Sequence, residues 1–127
     1  MKKALIIVGL FILLAVGFLL TKQGKSKTDT LDTPLATGEV IIHMTDAGYE
    51  PNKITIQKGT MVTFVNDGQN EHWPASNIHP THGIYPKFDP QKNIAPGESW
   101  SFTFDKAGIW HMHDHTYPQI TGTITVQ

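Results

Sequence analysis

The chain contains no cysteine. Disulfide staples, thiolate nucleophiles, iron–sulfur clusters and every thiolate-ligated metal site are therefore excluded. Charge of one sign is also lacking: ten Lys and Arg against eleven Asp and Glu leave a net charge of −1. With no basic stripe on which a phosphate backbone could settle, nucleic acid is not an expected partner. Helical periodicity is missing from residue 39 onward, which argues against a bundle or an alternating α/β fold. No paired catalytic base and nucleophile is visible, nor a glycine loop of the phosphate-cradling kind. At 127 residues the chain has room for one domain and a tail.

What is present divides into three stretches. Lys2 and Lys3 precede an apolar run from Ala4 to Leu20. A charged start followed by a hydrophobic core reads as an export signal, so residues 1–20 are expected to be a signal peptide or a hydrophobic N-terminal helix anchoring the chain in a membrane. No convincing small-x-small cleavage site follows, which favours the retained anchor. Lysines flank both ends, so the charge rule orients the segment only weakly. Residues 21–38, rich in Lys, Thr, Asp, Ser and Gly, read as a flexible linker. The expected location is extracytoplasmic, in a periplasm or at a cell surface.

From Glu39 to Gln127 the pattern is that of short strands. Val40, Ile41 and Ile42 open a β-type run, and Thr45-Asp46-Ala47-Gly48 reads as a turn. Ile54 and Ile56, then Val62 and Phe64, alternate with polar residues on either side of Lys58-Gly59, which reads as a hairpin or a tight connection. Trp100, Phe102 and Phe104 alternate with Ser and Thr; Trp110, Met112 and Asp114 alternate with His111, His113 and His115. Ile120 to Val126 closes the chain with the same period. Six or seven such strands in this length imply an all-β sandwich. Between His72 and Gly97 lies one long irregular stretch carrying Pro74, Pro80, Pro86, Pro90 and Pro96, a proline-stiffened loop of the kind that carries function.

Histidine is the abundant chemical residue. Six of the seven fall between Glu71 and Thr116. His113 and His115, two apart on a strand, present their imidazoles on one face. His79 and His82, three apart on the proline-rich loop, either fold over the strand ends to complete a coordination set or bond loop carbonyls. His111 shares the strand register but sits mid-strand, and His43 on the first strand reads as structural. Imidazole suits copper, zinc and nickel, with copper bound most tightly. A set of neutral imidazoles loads above the histidine pKa near 6.5 and empties in acid.

Tyr49 through Asn66, with its Val62-Thr63-Phe64-Val65-Asn66 strand, resembles the opening of a cupredoxin domain, and Gly108-Ile109-Trp110 through Val126 resembles its ending. The resemblance spans 39–127 and implies a Greek-key β-sandwich with a copper site. It implies that His72, six residues after Asn66, is a ligand. In the second ligand cluster of the family, G-x-Y-x-Y-x-C-x-x-H-x-x-M-x-G, the Cys position holds Asp114, the His position Tyr117 and the Met position Ile120. Without the thiolate, the blue electron-transfer site does not follow from the fold. Asp114 either replaces the thiolate as an oxygen ligand or orients a ligating imidazole. The same segment, Trp110-x-Met112-His113-Asp114-His115, is similar to the H-x-H motif of multicopper oxidases, and His72-Trp73 to the start of their H-W-H-G motif. The metal set expected from the sequence is thus His72, His79, His82, His113 and His115, with copper, or zinc, as the ion. The leading function is a non-blue copper-binding module that binds, hands over or slowly cycles copper with a donor or acceptor protein. The alternatives are a metal-free partner-binding sandwich and an oligomeric oxidase with sites at subunit contacts.

Overall fold

The computed structural model describes residues 38–127. The expected signal or anchor at 1–20, and all of the 21–38 linker but Gly38, lie outside the described residues. Among the described residues there is no helix, and so none long and apolar enough to cross a membrane. Eight strands form: β1 (Val40–Thr45), β2 (Gly48–Glu50), β3 (Lys53–Ile56), β4 (Thr60–Asn66), β5 (Pro74–Ser76), β6 (Ser99–Phe104), β7 (Gly108–Asp114) and β8 (Thr121–Val126).

They make two four-stranded sheets, ordered β2-β1-β4-β6 and β3-β8-β7-β5. The chain crosses between sheets repeatedly, so that β1 runs parallel to β4 and β3 parallel to β8. This is the all-β Greek-key sandwich anticipated from the sequence. The period of two explains which faces meet. Val40, Ile42 and Met44 of β1, Val62 and Phe64 of β4, Phe104 of β6, Met112 of β7 and Ile124 and Val126 of β8 are all buried, while residues between them point outward. The Thr45–Gly48 turn forms as expected: the Thr45 hydroxyl oxygen accepts the N–H groups of Ala47 and Gly48. Lys58-Gly59 joins β3 of one sheet to β4 of the other, with Gly59 at φ 89°, so it is a tight inter-sheet connection and not a hairpin.

The proline-rich stretch proves to be as much core as loop. Phe88 is fully buried, its ring centroid 5.6 Å from that of Phe64 and 5.9 Å from that of Trp100. Tyr85 packs against Phe102, Phe104 and Trp110, and its hydroxyl donates to Asp105. Inside the stretch Pro74–Ser76 pairs with β7 as an edge strand, the place where proline's missing N–H costs least. The loop therefore has fixed points, and these position the site.

Candidate metal centre

On β7 the inward residues Trp110, Met112 and Asp114 alternate with outward Ile109, His111 and His113, and His115 follows directly after the strand. Ile109 is exposed, yet His113, on the same face, is only 3% exposed. The difference arises because the segment after β5 folds back over that end of the strand. The Asn77 N–H donates to the His111 carbonyl, and the Ile84 N–H to the Asn77 carbonyl. Buried Ser76 places its hydroxyl 2.8 Å from the His82 carbonyl oxygen and accepts the Tyr85 N–H. His82 sits at φ 55°, the left-handed region that a residue with a side chain seldom occupies. This backbone turn carries the His82 ring toward β7.

Four imidazoles converge as a result. His79 Nδ1 lies 3.2 Å from His113 Nε2, and His82 Nε2 lies 2.9 Å from His115 Nδ1. The ring centroids of His79 and His115, and of His82 and His115, are 4.9 Å apart, and those of His82 and His113 5.2 Å. One nitrogen each from His79, His113 and His115 falls within a common span of 4.8 Å.

The outer nitrogens decide which atoms face inward as lone pairs. His82 Nδ1–H donates to Asp89 Oδ2 at 2.6 Å, and His113 Nδ1–H donates to Asn77 Oδ1 at 3.0 Å. An amide oxygen and a carboxylate only accept, so both rings hold their proton outside and present an unprotonated Nε2 to the centre. Asp89 is itself held by the Trp73 indole N–H at 2.8 Å and by the Gln91 N–H. Partial burial opposes its charge, but the hydrogen bonds from His82, Gln91 and Trp73 prevail and keep its carboxyl below the usual range. The Trp73 ring covers His115 with centroids 4.5 Å apart.

Burial first, and then the neighbouring imidazoles of His82, His79 and His115, pull His113 down to about 4. His115 is lowered by the same causes, burial ahead of His82 and His79. Bases this close cannot all charge together, so these two are neutral at pH 7, the form a metal requires. The donor set fits copper: only nitrogen donors, two of them with the braced outer N–H that ligating histidines make.

His72 stands apart from these four. Its Nδ1–H donates to Asp114 Oδ2 at 2.6 Å, with both residues buried, and its Nε2 has no hydrogen-bond partner, lying 3.5 Å from Asp46 Oδ1. Asp114 Oδ1 accepts the N–H groups of Thr116, Tyr117 and Trp73. The Tyr117 ring centroid is 5.8 Å from that of His72, and Ile120 is buried in the core. The positions that the resemblance aligned with copper ligands do meet in space. What stands there is a hydrogen-bonded His–Asp pair beside the Tyr117 ring, with the Ile120 carbonyl accepting the Asp114 N–H, and this does not fit a thiolate-type copper site. His111 bonds Thr123 on the outer face and His43 bonds Asp67 on the other sheet, so neither joins the cluster.

Asn77, Asp89 and the covering role of Trp73 escaped the sequence reading. Asp89 reaches His82 only through the fold of the loop, and no periodicity marks it.

A cupredoxin-like domain model matches residues 10–126. Among solved structures, an amicyanin variant in its reduced Cu(I) form at pH 4 superposes with a TM-score of 0.61 at 20% identity, over 73% of this chain and 86% of that one. The novel purple cupredoxin from Nitrosopumilus maritimus superposes with a TM-score of 0.61 at 22% identity, over 69% of this chain and 99% of that one. No curated protein matches the sequence.

Proposed function

From the premise that the chain belongs to the cupredoxin-like domain family, we propose that it is an extracytoplasmic, membrane-tethered copper-binding protein whose ion is held by His79, His82, His113 and His115. The observation that carries this reading is the convergence of four imidazoles whose inner nitrogens approach to 2.9 and 3.2 Å, with Asp89 and Asn77 fixing the outer protons of two of them. Copper held this way would supply a nitrogen-coordinated centre without the thiolate bond that gives blue sites their colour and fast electron transfer. The chain's own residues do the rest. Asp89 and Asn77 set the tautomers of His82 and His113, Trp73 shields His115 and Asp89 from water, and the neutral state of His113 keeps a lone pair ready. Binding and transfer of copper to or from a partner protein suits such a site better than rapid electron exchange. The tether is read from the apolar segment Ala4–Leu20.

The test is titration of the purified full-length protein with Cu(II), followed by electron paramagnetic resonance. One copper per chain with nitrogen hyperfine structure and no intense visible thiolate band supports the reading. Failure to retain copper against a weak competing chelator overturns it in favour of a metal-free partner-binding sandwich. Membrane fractionation of the expressed chain tests the tether.

A further inference from the structure

The four imidazoles are not held equally. His82 and His113 are 4% and 3% exposed, and each is braced through its outer nitrogen, by Asp89 and Asn77. The His82 carbonyl is additionally tied to the Ser76 hydroxyl. His115 is half-buried beneath Trp73, and its backbone N–H donates to the Trp73 carbonyl. His79 is different on each count. It is exposed, and so are its neighbours Ile78, Pro80 and Thr81. Its only hydrogen bond among the described residues is the one to His113, across the centre itself. The turn that carries it is fixed at its ends, by the His82 N–H donating to the Ile78 carbonyl at 2.7 Å and the Ile84 N–H to the Asn77 carbonyl, and not at its tip.

We propose that His79 is the releasable ligand of this set, and that copper arrives and departs on its side by exchange of His79 Nδ1 for a histidine nitrogen presented by the delivering or receiving protein. The inference rests on the reading of the four histidines as the copper site. The physical asymmetry is one of solvation. Swinging His79 away returns an imidazole to water, where its nitrogens are satisfied at once. Withdrawing His82 or His113 would pull a buried ring out of its packing and leave the half-buried acceptor on Asp89 or Asn77 without its donor. In the exchange one copper–nitrogen coordinate bond breaks and another forms. No electron moves, and each imidazole keeps its single N–H proton. The incoming donor is taken as a neutral nitrogen because imidazole suits copper, and replacing one imidazole by another leaves the donor type and the charge of the set unchanged.

The experiment compares full-length wild type, His79→Gly and His113→Gly, each loaded with one equivalent of Cu(II). Free imidazole is the probe for the incoming donor. His79→Gly is expected to keep one copper per chain and to release it to a competing chelator at least about tenfold faster than wild type. Millimolar imidazole should restore both the wild-type resonance spectrum and the slow release. His113→Gly is expected to lose copper outright, without rescue. Near-UV circular dichroism of the metal-free His79→Gly protein should match wild type, since the ring it removes is exposed. The proposal is overturned if His79→Gly loses copper as completely as His113→Gly. It is equally overturned if His79→Gly gives the wild-type spectrum and ignores imidazole, because His79 is then no ligand. Wild-type protein that takes up no copper overturns the copper reading itself, a result separate from either of these.

Discussion

His72 Nδ1 stands 2.6 Å from Asp114 Oδ2, and the two residues, 1% and 0% exposed, join the loop after β4 to the end of β7. In a thiolate-type cupredoxin the ion would bridge these two places. Here a hydrogen bond does so, and Asp114 also caps the turn after β7 through Thr116 and Tyr117. The proposed ligands His113 and His115 flank Asp114 but face the opposite side of the strand. The pair thus acts as a strut beneath the proposed centre.

The strut makes a prediction about stability. His72→Ala removes one partner of a buried pair and leaves the Asp114 carboxylate short of a donor. A loss of about 3–5 kcal/mol is expected, read from urea unfolding of metal-free protein. Copper stoichiometry at the four-imidazole set should stay at one. A loss under about 1 kcal/mol, the worth of an ordinary hydrogen bond, would show that the pair is not a strut.

Asp89 gives a second prediction, on affinity. It receives His82 Nδ1–H at 2.6 Å and the Trp73 indole N–H at 2.8 Å. Asp89→Ala frees the His82 ring to adopt the wrong tautomer and unpins the cover over His115. Copper affinity should fall by about 10–100-fold with the number of bound ions unchanged, as competition titration against a chelator would measure. Affinity equal to wild type would mean that the backbone turn alone orients His82.

A third prediction concerns the loop as core. Phe88 is fully buried against Phe64, Trp100, Phe102 and Phe104. Its carbonyl accepts the N–H of Ser76, the residue whose hydroxyl reaches His82. Phe88→Ala should cost about 3–5 kcal/mol in chemical unfolding. The same variant should weaken copper binding, since the ligand loop loses its anchor. A mild loss with intact binding would show that the loop is held by its hydrogen bonds and not by this ring.

These residues also show what could be read before the fold was seen. The strands were legible because each buries one face, so Val40, Ile42 and Met44 or Val62 and Phe64 announce themselves by alternation. The same rule puts His113 and His115 on one face and the loop groups His79 with His82, and the structure brings these four rings together. Their partners did not follow. Asn77 and Asp89 act through a loop whose path depends on Phe88 and Tyr85 finding the core, a non-local event that leaves no period in the sequence. His72 illustrates the opposite hazard. Its spacing from Asn66 puts it beside Asp114, bonded to that carboxylate through Nδ1, but spacing alone does not show that the other four imidazoles gather elsewhere.

The last prediction follows from the crowding of bases. Burial and the neighbouring imidazoles bring His113 down to about 4, and His115 is lowered for the same reasons. In the unfolded chain both titrate near their ordinary value of about 6.5. As pH falls below that value the unfolded state takes up protons that the folded state refuses, so acid favours unfolding. The stability of the metal-free protein should therefore be fully present above about pH 6.5 and should decline steadily down to about pH 4, where His113 itself charges. Asp46, Asp89 and Asp105 have lowered folded values, and their unfolded reference is 3.8, so their contribution is lost only below this window. Urea midpoints measured at half-unit steps from pH 7 to 4 give the slope, and His113→Gln, which cannot charge, should flatten it. An unchanged slope in His113→Gln would mean that His113 is not held neutral by its neighbours. The ready lone pair on which the proposed centre depends would then have lost its physical cause.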